Sequence, residues 1–313
     1  MLLKLLSQKS ILFQFLWGLL FLGLIYLNLN SLEPNWQSFT AVLLLIFSVL
    51  ICLLFYIHSN LFRNIGVALW FLLIWTVVFS GICSDWKICF SLFFCTLMVR
   101  SWLSGEDKKS SKRFLFDSGA LLMLSAIFYP PSLFLAGFLF VTYPYVQNIS
   151  LKGILMLILG MLVPLIIGIQ ILFVSDQTEI INSYSTAFYL NFWQSTSPIL
   201  IPVGLIILVS WTNHLLNFST QDINKRQKYF LTFIYFINWI IILALFGGEQ
   251  QNLLIFLGLP VSIFLSRFVQ YLNSDKYKEI WLWLYATVMA AFFFRIQIYE
   301  IFDNLLGNVS FGF

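Results

Sequence analysis

The sequence predicts an all-α protein, a polytopic transmembrane helical bundle of about 11 spans. Three observations predict it. Hydrophobic residues make up 60% of the chain and charged ones 10%, against roughly 25% charged in a soluble protein, too few to cover a globular surface. Apolar runs of spanning length recur from one end to the other, at a mean hydropathy of +0.92. Lysines and arginines fall in short gaps between those runs, where they orient a membrane protein. Residues 1–313 are expected to form a single integral membrane domain.

The elements follow in order. "MLLKLLSQKSILFQFLWGLLFLGLIYLNLN" opens like a signal peptide, but no small-residue cleavage site follows, so residues 11–29 read as a retained first span. Residues 39–57 supply a second, and the shorter runs 67–82 and 88–103 follow, separated by "CSDWK". Residues 115–147 are too long for one ordinary span and are interrupted at Tyr129-Pro130-Pro131-Ser132. Proline lacks an N–H and biases the preceding residue away from helix, so one helix should end there and another begin. The first arm, about 15 residues, reaches roughly 22 Å against a hydrocarbon core of about 30 Å. The segment is therefore a helical hairpin, either two short spans or a re-entrant pair. Both return the chain to the same side.

Spans 153–174, 198–216, 229–246, 253–271 and 280–301 complete the count. Gly153, Gly160, Pro164 and Gly168 fall on one helix face, a pattern that permits close packing, with Pro164 a point for a kink. Residues 176–197 are expected to form an outer-face loop containing an interfacial amphipathic helix. Its stripe is Ile180, Tyr184, Phe188 and Phe192, beside Ile181, with Trp193 as anchor and Asp176 and Glu179 at its start.

Charge gives an independent check. With the N-terminus inside and eleven crossings, fifteen of the seventeen Lys/Arg residues fall inside, and only Lys87 and Arg295 lie toward the outside. The C-terminus is then outside. Basic residues confined to interhelical loops are no footprint for nucleic acid, which is not an expected partner. Cys52, Cys83, Cys89 and Cys95 form no C-x-x-C pair, and small apolar core residues are the better reading, with a Cys83–Cys89 disulfide as the alternative.

No strong catalytic or metal motif appears, and neither a metal nor another cofactor is expected. The two histidines, His58 and His214, sit at the inner ends of separate spans, where a polar cap is the simpler reading. Arg295 lies inside "WLWLYATVMAAFFFRIQIYEIF"; it is a candidate contact for an anion or lipid headgroup, its other reading being a side chain that snorkels to the interface. Glu33, in the loop "SLEPNW", is the outer carboxylate placed where a transferase acting on a lipid-linked sugar would hold its base, although a solvated loop charge is the simpler reading. Asp117 enters an apolar arm beside the basic loop "KKSSKR". It is expected to form a structural charge pair with Arg100 or Arg113.

The stretch "LMVRSWLSGEDKKSSKRFLFDSGALLMLSAIFYPPSLFL" resembles an uncharacterised family of multi-pass inner-membrane proteins from the Bacteroidetes, members of which were often mislabelled beta-carotene monooxygenase. Arg100, Leu115, Phe116, Asp117 and Tyr129 match the family pattern of a span ending in a basic residue, a basic loop, Leu-Phe-Asp and a short span before the return helix. The resemblance implies a bacterial inner (plasma) membrane location and no catalytic residues. The monooxygenase label finds no support, since a nonhaem iron site needs several histidines and this chain has two. The hairpin is also similar to the membrane half of lipid-linked glycosyl transferases, at the level of fold analogy.

Three functions are expected, in this order. The first is a non-catalytic subunit or scaffold in envelope biogenesis with a membrane protein partner. The second is binding or transfer of a lipid or lipid-linked glycan. The third is secondary transport, for which paired broken helices should be present.

Overall fold

The computed structural model describes residues 3, 6, 36–59, 61–62, 64–103, 113–148, 150–174, 188, 190–193, 200–216 and 222–294. Every regular element among them is helical. The helices are α1 (Trp36–His58), α2 (Ile65–Val78), α3 (Trp86–Leu103), α4 (Arg113–Phe128), α5 (Leu135–Val146), α6 (Leu151–Val174), α7 (Leu200–Leu216), α8 (Ile223–Phe246), α9 (Gly258–Tyr271) and α10 (Asp275–Phe293). Short 3₁₀ segments, Ser80–Ser84, Pro130–Phe134 and Gln251–Leu257, precede α3, α5 and α9. Among the described residues, five stretches are long and apolar enough to cross a membrane: Trp36–His58, Trp86–Leu103, Leu151–Ile171, Ile223–Phe246 and Gln251–Tyr271. Ile65–Val78, Pro130–Val146 and Ile201–Asn213 are shorter apolar helices. The chain is an all-α membrane protein. The expected first span, residues 11–29, lies outside the described residues.

Two helices form the centre. Eleven of the fourteen residues of α2 and eleven of the fourteen of α9 are buried, so neither has an outward face. They meet where Gly258 approaches Trp75, whose indole Nε1 donates to the Leu254 carbonyl at 2.9 Å. α10 lies across α2, with the Tyr285 hydroxyl donating to the Phe71 carbonyl at 3.3 Å.

The periphery is different. The buried residues of α6 are Gly153, Leu157, Gly160 and Pro164, along one face. This is the small-residue face read from the sequence, and its partner is α4. A Cβ on Gly160 would overlap the Phe116 carbonyl oxygen, and one on Gly119 would overlap that of Leu157. The two backbones therefore pack directly against each other. α6 continues through Pro164 as one element, since the missing N–H removes a single bond from an otherwise complete ladder.

The break at Tyr129-Pro130-Pro131-Ser132 is present. α4 stops at Phe128, Tyr129 is extended (φ −136°, ψ 92°), and Pro130 opens the 3₁₀ turn that leads into α5. The two arms then part: α4 packs on α3 and α6, while α5 packs on α8, Phe138 meeting Tyr235 edge-on at 5.5 Å.

The helix expected to carry its stripe to Phe192 does not reach that far. Leu190–Trp193 is not helical, and Ile180, Ile181 and Tyr184 lie outside the described residues. The cause lies in the last turn of α8, whose carbonyls have no intrahelical donors. Asn191 N donates to Leu245 O at 2.9 Å, Trp193 N to Ala244 O at 3.1 Å, and Gly248 N to Asn191 O at 3.0 Å. Gly248, at φ +52°, turns the chain after α8 in the left-handed region that glycine tolerates.

Candidate functional site

Of the residues singled out by sequence, Arg295 and Glu33 lie outside the described residues. The pair expected between Asp117 and Arg100 or Arg113 is not formed: among the described residues, the ion pairs are Lys225–Asp222 and Lys278–Asp275. Asp117 lies in the second turn of α4, on its exposed side. The buried face of that helix is instead Phe114, Leu115, Ser118, Gly119 and Leu122. His58 is exposed, with Nδ1 hydrogen-bonded to the Leu54 carbonyl at 2.8 Å. No group of three or more His, Cys, Asp or Glu side chains among the described residues is placed to hold a metal ion. All four cysteines are free and buried, so Cys83 and Cys89 are core residues and not a disulfide.

The structure brings together two clusters that the sequence did not announce. In the first, the Ser125 hydroxyl on α4 lies 2.7 Å from Ser91 Oγ, 3.0 Å from Cys95 Sγ on α3, and 2.9 Å from Ser132 Oγ in the proline turn. Ser91, Ser125 and Ser132 are completely buried and bind the turn to two helices. Nearby, Ser48, Cys52, Thr76, Thr96 and Tyr235 line a cavity of about 20 Å³, the size of one water. Ser48, Thr76 and Thr96 donate to Leu44, Leu72 and Phe93 carbonyls at 2.8 Å each, leaving oxygen lone pairs to line it. These groups are neutral and suit hydrogen bonding.

The second cluster is at the end of α9. Arg267 is half-buried, with its guanidinium carbon 5.5 Å from the Tyr229 ring centre and 4.8 Å from that of Tyr271. Its Nε donates to Tyr271 Oη at 3.2 Å and its Nη1 to Gln270 Oε1 at 2.8 Å. Tyr229 is anchored in turn by donating to the Leu61 carbonyl at 3.1 Å. Two aromatic faces hold a cation without neutralising it. The signal in the sequence was the spacing of Arg267, Gln270 and Tyr271, which share one helix face inside an apolar run. Charge counting used Arg267 only as an inner-side cation.

No curated protein and no solved structure matches the chain significantly. A family model described as "Family of unknown function (DUF6427)" matches residues 1–302. A match of that extent, over an all-helical apolar chain, places the protein in the DUF6427 family.

Proposed function

We propose that the protein is a multi-pass subunit or scaffold of the bacterial inner membrane, acting in envelope biogenesis through binding and not through chemistry of its own. The observation that carries this reading is the way the bundle uses its polar side chains. Ser125 ties three elements together, and Ser210, Ser262 and Ser266 each bond to a carbonyl one turn back on their own helix. The Ser125 bonds join helices, and the other three satisfy their hydroxyls within one helix, so all four are structural roles. The apolar outward surface of α6 offers acyl chains or a neighbouring span a broad face.

The same reading takes eleven crossings, with the N-terminus inside and the C-terminus outside, supported by fifteen of seventeen basic residues falling on the inner side. α4 and α5, at about 24 and 18 Å, are each shorter than the hydrocarbon core. That length supports a pair of short or re-entrant arms over 115–147. Extraction of the tagged chain from its native membrane after mild cross-linking tests the function. The expected result is a complex of fixed stoichiometry with another envelope membrane protein, which disassembles when this chain is deleted. Recovery of the chain alone and monodisperse overturns the proposal.

A second reading, binding of a lipid or lipid-linked glycan, is favoured by one observation, the unneutralised Arg267.

A further inference from the structure

A guanidinium carries five N–H donors in a planar fork. Arg267 engages two of them, with Tyr271 and Gln270, and three remain without a partner among the described residues. No carboxylate among those residues lies within ion-pair distance of it. The acids flanking α8 and α10, Asp222 and Asp275, are already paired with Lys225 at 3.3 Å and Lys278 at 2.8 Å.

Gln270 provides a separate observation. Because its Oε1 accepts from the guanidinium, its Nε2 is turned the other way, and that atom is shielded from solvent with no partner among the described residues. A buried amide nitrogen left without an acceptor is destabilising. Amide geometry keeps Nε2 within about 5 Å of the Arg267 Nη1, a separation that one tetrahedral oxyanion can bridge. Donors from two side chains, a full positive charge and no acid together define a receptor for oxygen atoms bearing negative charge.

We propose that Arg267 and Gln270 form a binding site for the oxygens of a phosphate ester, the guanidinium fork taking two oxygens and the Gln270 amide a third. Tyr229 and Tyr271 position the fork from either side. The site lies toward the C-terminal end of α9, where an apolar span ends, and the basic start of α8, with Lys225, Arg226 and Lys228, leads into Tyr229. A phospholipid headgroup and a soluble phosphate offer the same oxygens, and the placement at the end of a span suits the first. The site deepens the lipid-binding reading above and rests on it.

Native mass spectrometry of the purified full chain tests it, with dioleoylphosphatidylglycerol and inorganic phosphate as probes. The wild-type chain is expected to retain phosphatidylglycerol. Arg267→Ala should weaken that binding about tenfold or more, the scale of losing a charge-assisted fork. Arg267→Lys keeps the charge without the fork and should lose about threefold. Gln270→Glu keeps the acceptor for Arg267, removes the amide donor and should weaken binding. That variant decides the matter if Arg267→Ala does not fold. Inorganic phosphate binding that depends on Arg267, with phosphatidylglycerol retained equally by every variant, assigns a soluble phosphate instead. Equal binding of both probes by all variants overturns the site but leaves lipid binding standing. No binding of either probe by the wild-type chain overturns both.

Discussion

At Gly119 and Gly160 two helix backbones meet with no side chain between them, because the place a Cβ would take on either is filled by a carbonyl oxygen of the other helix. Gly160→Ala should therefore push α6 off α4 and lower stability by about 1–3 kcal/mol, the usual cost of overpacking. Gly204→Ala, with nothing within 4 Å of the added atom, serves as the matched control. Thermal unfolding in detergent compares them, and equal midpoints would show that the backbones do not touch. The face carrying Gly153, Gly160 and Gly168 was legible from spacing alone, since small residues repeat at helical intervals. Its partner was not, because periodicity identifies a face and says nothing of the neighbour. Arg267 was missed for a related reason: a charge count records the cation, while its lack of an acid is a fact of three dimensions. Asp117 erred the other way, since its charge was visible in the sequence while the packing of Phe114, Leu115, Ser118 and Gly119, which turns it outward, was not.

Among the elements, the hydropathy runs located nearly every described helix, and the double proline located the break between α4 and α5. Hydropathy and proline chemistry act locally, and so can be read locally. The segment Leu190–Trp193 could not be read that way, for its non-helical form is set by the Ala244 and Leu245 carbonyls of a helix far along the chain. Spacings of four residues favoured a helix, but unsatisfied acceptors at the end of α8 favour a strand-like donor. Gly248 completes this arrangement. Gly248→Ala forces a left-handed conformation on a residue with a Cβ, at roughly 1–2 kcal/mol, and sets that atom against the Asn191 side chain. The segment should then detach, and limited proteolysis should cut near residues 190–193 several times faster than in the wild-type chain. Unchanged cleavage would mean that Gly248 does not hold it.

For the molecule as a whole, the sequence could count apolar helices but could not rank them. α2 and α6 are both apolar on every side, yet one is at the centre and the other at the edge. In water such a helix must be buried, whereas in a bilayer lipid serves as well as protein, so composition alone cannot tell the two positions apart. Orientation rests on charge. A cysteine introduced at Asn224 should react with an impermeant maleimide only after the inner face is opened, and reaction in intact spheroplasts would overturn the proposed topology. The four native thiols are all buried, so the folded chain adds no background to that measurement. Their positions carry a further consequence. Cys52 is on α1, Cys83 follows α2, and Cys89 and Cys95 are on α3, with none later in the chain. Alkylation under rising heat or detergent is therefore a gauge of one third of the protein. It registers the opening of the α1–α3 seam one thiol at a time, with Cys52 also reporting the loss of α8, whose Tyr235 shares its cavity, so an unaltered chain reports which part of itself gives way first.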